Sequence, residues 1–214
     1  MPVKFLLHCG WISSIIYLIM NIVCPILNPH YDVFSQTVSE LSAINAPTRS
    51  TWILFAIVYD ALVILFALGI RQSANGNRAL LVSALLFLLY GILGPVWPPM
   101  HQREVLAAGG KTSMDTWHIV FTIVTVLLMM LAMGFGAAAL GKKFRTYSIQ
   151  TILIQIIFGI LTSRFAPAIE ANHPTPWAGV WERVNIGAFI LWVSIFSFVL
   201  LKRSARSSMS ELID

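Results

Sequence analysis

This sequence predicts an all-α protein, an integral membrane bundle of six transmembrane helices with a short interfacial helix in its first outer connection. Three observations carry that reading. The 214 residues are 57% hydrophobic and only 11% charged, with mean hydropathy +0.79, whereas soluble domains carry about 25% charged residues. Six apolar runs approach the roughly 20 residues that a helix needs to cross a bilayer. Nearly all acids and histidines then fall on one side of the membrane these runs imply.

The runs, in order, are Phe5–Leu27, Thr51–Ile70, Ala79–Pro98, Trp117–Leu140, Ile149–Ala166 and Asn185–Leu201. The first has a lone Lys4 before its core and no small-x-small cleavage site ahead of Asn28, so it reads as a retained helix rather than a signal peptide. Its two cysteines, Cys9 and Cys24, would lie roughly 22 Å apart by helical rise and cannot bridge. The third run ends in Pro95, Pro98 and Pro99. In the fourth, Gly134 and Ala138 match a small-x-x-x-small pattern, read as internal close packing. Residues 1–201 are expected to form one domain, with 202–214 a disordered cytoplasmic tail. No internal repeat and no low-complexity tract is evident.

Lysine and arginine placement orients the bundle. Lys4, Arg71, Arg78, Lys142, Lys143, Arg145, Lys202, Arg203 and Arg206 fall on one side; Arg49, Arg103, Lys111, Arg164 and Arg183 fall on the other. The connections on the first side are short, so that side is expected to be cytoplasmic with both termini, in the plasma (bacterial inner) membrane. The net charge of +5 therefore follows topology, and no nucleic-acid partner is expected. Trp52, Trp97, Trp117, Trp177 and Trp181 cluster near the outer boundary, where amphipathic rings favour the headgroup level. In the first outer connection, Thr37-Val-Ser-Glu40 is a capping-box pattern. Val38, Leu41 and Ile44 follow with apolar spacing, and Asn45-Ala-Pro47 closes the stretch.

Six of the nine acids and four of the five histidines are external by this topology. Solvated loops explain His30, Asp32, Glu170 and His173 adequately. They explain the fourth run less well, because Asp115 and His118 share a helical face that continues through Thr122 and Thr125. The first run has a similar stripe of Ser14, Tyr17, Asn21 and Cys24. Asp60 lies about 13 Å deep by helical rise. It is expected to face protein and to be neutral or paired, with Asn21, Tyr90 and Arg164 as candidate partners. These features describe a polar pocket in the outer half of the bundle. His101, Glu104, Asp115, His118 and Glu182 are its candidate catalytic groups, and Arg103, Arg183, Arg164 and Asp60 its candidate substrate-binding groups. His101, Arg103, Glu104, Asp115, His118, Glu182 and Arg183 are expected to converge beneath the short outer helix.

Several chemistries fit these residue types. His101, Asp115 and His118 form a His/carboxylate set suited to a divalent metal such as Zn²⁺, Fe²⁺ or Mn²⁺. Against it stands a hydrogen-bonded polar network that holds the helices together. A serine nucleophile lacks the G-x-S-x-G elbow. Haem lacks two histidines at matched depth. P-loop and dinucleotide fingerprints are absent, and no lysine lies inside a helix.

Three separated stretches occur in order: Ser39-Glu-Leu-Ser-Ala-Ile-Asn-Ala-Pro47; Pro99-Met-His-Gln-Arg-Glu104 followed by Thr112-Ser-Met-Asp-Thr-Trp-His118; and Trp181-Glu-Arg-Val-Asn185. Together they resemble a family of bacterial multi-pass membrane proteins catalogued as a domain of unknown function. The resemblance implies a shared outer site without naming its chemistry. Three uses compete: a membrane-embedded hydrolase or transferase acting on a lipid or small amphiphile, a non-catalytic membrane partner protein, and a small-molecule or proton carrier. The lipid bilayer is the partner common to all.

Overall fold

The structure is a computed structural model. It describes residues 2–210, with side chains described to Arg206. It is all-helical among the described residues. Eight α-helices run α1 Val3–Ile26, α2 Arg49–Gln72, α3 Arg78–Leu93, α4 Arg103–Ala107, α5 Ser113–Ala139, α6 Lys142–Ser163, α7 Ala166–Glu170 and α8 Ala178–Ser210. Two 3-10 turns, Val38–Ser42 and Gly94–Val96, complete the set. Six of these segments are long and apolar enough to cross a membrane, and the chain is a multi-pass membrane protein.

Each long helix starts before the apolar window that locates it, because a backbone hydrogen-bond ladder begins at a cap and not where hydropathy rises, whereas α3 ends at Leu93, short of the expected Pro98. α5 starts at Ser113, where Thr112 and Asp115 make a capping box. α6 starts at Lys142 behind Gly141. Where a disordered tail was expected from residue 202, α8 continues to Ser210, and the last four residues lie outside the described part.

Short connections join antiparallel neighbours. α1 packs on α2 and α8, α2 on α3, α3 on α5, and α6 chiefly on α8 and only lightly on α5. The result is a ring of six long helices. Both described chain ends and the short turns 73–77 and 140–141 lie at one end, the terminal end. The longer connections 27–48, 94–112 and 164–177 lie at the other, the cap end.

Apolar burial cannot drive helix association in lipid, so packing and interhelical hydrogen bonds do. Phe66, Phe87, Phe189, Trp192 and Phe196 are essentially fully buried and stack in a chain of rings. Trp192 and Phe196 have centroids 4.7 Å apart, and Phe66 and Phe87 5.4 Å. Hydroxyls tie helices through backbone carbonyls: Ser14 to Ile190 at 2.8 Å, Ser83 to Ala132 at 3.0 Å and Ser197 to Leu7 at 2.7 Å. Trp192 Nε1 donates to Ser148 Oγ at 2.8 Å. Close packing on α5 falls on Gly136, against the Trp192 ring, whereas Gly134 faces open space. The internal role expected for Gly134 is thereby corrected, since its face points out of the ring.

Candidate functional site

The predicted capping box forms, with Thr37 N–H and Oγ1 both donating to Glu40 Oε2 at 2.7 and 2.8 Å. It starts the 3-10 turn Val38–Ser42, which holds Glu40 at the centre of the cap. Arg103, from the first turn of α4, meets it with a two-pronged contact, Nε to Oε1 at 2.5 Å and Nη2 to Oε2 at 2.8 Å. Arg103 Nη1 also donates to Thr175 Oγ1 at 2.9 Å, and Nη2 to the Ser35 carbonyl at 3.2 Å. One buried guanidinium thus links all three long connections. Such charge-assisted, bidentate pairs are stiff and directional.

Arg183 works the same way. Its Nη1 donates to the carbonyls of Val33 and Gly179, both at 3.0 Å, and its Nη2 to the Tyr31 hydroxyl at 2.8 Å. Its guanidinium lies 5.6 Å from the Tyr31 ring centroid. Tyr31 donates in turn to the Thr37 carbonyl at 2.8 Å, and burial pushes its phenol pKa up. Glu182 accepts the Val38 N–H. Gly179 is required here because a Cβ would collide with the Val33 and Gln36 carbonyls. Beside this cluster, the Ser35 hydroxyl and the Phe34 amide hold the exposed Asp32 carboxyl below its usual range.

A second cluster sits where α5 begins. His101 Nδ1 lies 2.9 Å from Asp115 Oδ2, and the His101 backbone N–H donates to Asp115 Oδ1 at 2.7 Å. Thr112 N–H donates to Asp115 Oδ2 at 2.8 Å. The carboxylate is therefore fixed from three directions, and the imidazole is oriented by it. No hydrogen bond among the described residues reaches His101 Nε2, and the side chain is 18% exposed. His118 turns its Nδ1 to the Pro98 carbonyl at 2.7 Å. The Trp97 indole N–H approaches the same nitrogen at 3.1 Å. One nitrogen cannot donate and accept at once, so the shorter contact defines the tautomer, with Nδ1 protonated. Outside this cluster is a shallow apolar groove of about 360 Å³, bordered by Pro95, Val96, Trp97, Pro98, Met114 and Trp117.

The expected convergence is therefore split. His101, Asp115 and His118 gather at the start of α5; Arg103, Glu182 and Arg183 gather around Glu40 instead. Glu104 is exposed on α4 and joins neither. Arg164 caps α6 at its C-terminus and is exposed. Asp60 is buried, but none of Asn21, Tyr90 and Arg164 bonds to it. Tyr90 pairs with Tyr59 through their hydroxyls at 2.8 Å, and the Asp60 carboxyl packs against Gly94, where a side chain would collide. The expected metal triad is not assembled. His118 is engaged by Pro98, and among the described residues no three His, Cys, Asp or Glu groups are placed to share an ion. Two residues of the cap cluster escaped the sequence-derived site, Glu40 and Tyr31. Glu40 was visible as the acid of the capping box; nothing in the sequence marked Tyr31.

Among curated proteins and among solved structures, none matches this chain. Residues 11–199, which take in most of all six long helices, match the family model described as "Protein of unknown function (DUF998)", and the chain belongs to that family.

Proposed function

We propose that this protein is a membrane-embedded hydrolase or transferase. It acts at the cap end, which faces outward, on a lipid or small amphiphile, with His101 and Asp115 as its proton-transfer pair. The observation that carries the reading is Asp115 bound to His101 Nδ1. A carboxylate on Nδ1 holds one imidazole tautomer and leaves Nε2 as a free base. Nε2 takes the proton of an attacking hydroxyl or water and returns it to the leaving group. The groove between Trp97 and Trp117 seats the apolar part of the substrate within the lipid boundary. Glu40, Arg103, Glu182 and Arg183 are scaffold in this reading, because protein groups already engage them.

The test is turnover in nanodiscs. Purified protein is reconstituted with glycerophospholipids, glycolipids and prenyl-linked lipids, and products are followed by mass spectrometry. His101→Gln is expected to lower turnover by roughly 10²–10⁴-fold, and Asp115→Asn to lower it through the wrong tautomer. Turnover unaffected by His101→Gln would defeat the proposal. The closed Arg103–Glu40 pair favours a second reading, a non-catalytic partner protein with a rigid docking cap. In that case the wild type turns over none of these lipids, and wild type and His101→Gln copurify with the same membrane protein.

A further inference from the structure

The face of α5 that carries Asp115, His118, Thr122, Thr125 and Met129 is buried at every one of these positions except Thr122, which is exposed. A residue exposed between buried neighbours on one face marks open space beside the helix. Across that space, α6 buries Phe144, Ser148, Thr151 and Gln155, and then nothing from 156 to its end at Ser163. The two helices touch near Met129 and Gln155, where Gln155 Nε2 lies 3.8 Å from Met129 Sδ. Toward the cap end they part. A Cβ on Gly159, one turn beyond Gln155, would meet just the Asn185 Nδ2 at 3.2 Å.

Polar groups without partners sit where this wedge closes. Gln155 is fully buried, yet its Oε1 has no hydrogen bond, and neither does Thr125 Oγ1 on the facing helix. Asn185, 7% exposed, donates to the Gln155 carbonyl at 2.6 Å. A buried acceptor left unpaired in an apolar surrounding is destabilising and calls for a donor. No charged side chain stands among Thr122, Thr125, Gln155, Gly159 and Asn185. The rim is apolar, with Ile119 48% and Ile160 58% exposed.

We infer that the wedge between α5 and α6 is a lateral binding site for the uncharged, hydroxyl-bearing head of a membrane amphiphile. The hydroxyls donate to Gln155 Oε1 and Thr125 Oγ1, both enclosed by protein atoms in this structure, as these side chains turn toward the wedge, and the tail leaves sideways into the bilayer. The site is separate from the His101–Asp115 pair and does not rest on its chemistry.

The test uses the full chain in phosphatidylcholine nanodiscs, with a monoacylglycerol that carries a diazirine in its tail. Saturable labelling is expected in residues 119–126 and 156–163, displaced by monooleoylglycerol but not by methyl oleate, which offers no donor. Gln155→Leu should weaken the apparent affinity about fivefold, the loss of one hydrogen bond. Thr122→Trp should abolish labelling by filling the wedge from an exposed position. Thermal unfolding of each variant separates lost binding from lost fold. Labelling spread over all lipid-facing segments, equal displacement by methyl oleate, or wedge labelling that survives Thr122→Trp in a folded protein would overturn the inference. His101→Gln should keep full labelling even where it abolishes turnover, so the two proposals fail independently.

Discussion

Arg103→Met is the sharpest perturbation of the cap. The substitution keeps an unbranched stem of related shape and removes the guanidinium that meets Glu40 at 2.5 and 2.8 Å. Glu40 is 7% exposed, so its carboxylate is left nearly unhydrated. Breaking a buried pair from one side typically costs about 3–5 kcal/mol. Glu40 keeps its bonds from Thr37 N–H and Oγ1, which places the expected cost near the lower end, about 3 kcal/mol. The bonds to Thr175 and Ser35 go as well, so the loss extends across all three connections. The cost should appear as local opening of the cap while the aromatic core between the long helices stays folded. Hydrogen exchange reads this directly. The Ile44 amide, bonded to the Met100 carbonyl at 2.8 Å, should lose roughly 150-fold in protection, the equivalent of 3 kcal/mol, while amides in α2 and α8 keep theirs. Adding Glu40→Gln should restore most of the loss, because the uncompensated charge is its main source. Protection at Ile44 unchanged within about threefold, or a double variant worse than Arg103→Met alone, would refute the reasoning.

Three further outcomes are expected. In a background free of Cys9 and Cys24, a membrane-impermeant thiol reagent added outside should label Ala108→Cys and spare Gln72→Cys; the reverse pattern would invert the topology drawn from the lysine and arginine split. Gly69→Ala should destabilise by about 1–3 kcal/mol, since its Cβ would stand 2.9 Å from the Leu6 and Leu7 backbone. Gly134→Ala, with no atom within 4 Å, should be neutral or stabilising by up to about 1 kcal/mol; equal unfolding of the two in detergent would contradict the packing. Asp32 has a carboxyl pKa lowered in the folded chain, so its contribution is present above the ordinary value of 3.8 and lost as pH falls through the depressed one. The protection of the Phe34 amide, relative to its intrinsic exchange rate at each pH, should therefore hold steady at neutral pH and fall below pH 3.8; a fall already at pH 6 would point to another group.

Much of the architecture was legible without coordinates. Apolar run length is dictated by bilayer thickness, so six spans could be counted. Thr37 and Glu40 stand at the spacing that a capping box demands, so the turn they start was visible too. The same logic would have found the start of α5, because Thr112 and Asp115 repeat that spacing. That start lies four residues ahead of the apolar window, which opens at Trp117.

Which polar groups meet was not legible. Periodicity places Asp115 and His118 on one face, and the structure buries both. It cannot say that Asp115 will take His101 from 14 residues upstream while His118 turns to Pro98. Glu40 and Arg103 are 63 residues apart, and Arg183 reaches Tyr31 across 152. Local sequence carries no information about contacts of that separation, because they depend on where whole helices end. The sequence by itself determined an all-helical, multi-pass chain with most of its acids and histidines gathered at one end, since bilayer thickness and hydration act on each segment alone. Only the tertiary structure decided that Glu40 and Glu182 with Arg103 and Arg183 lock the cap, that the His101–Asp115 pair keeps one nitrogen free, and that α5 and α6 part over Gln155. Those outcomes depend on how six helices pack against one another at once.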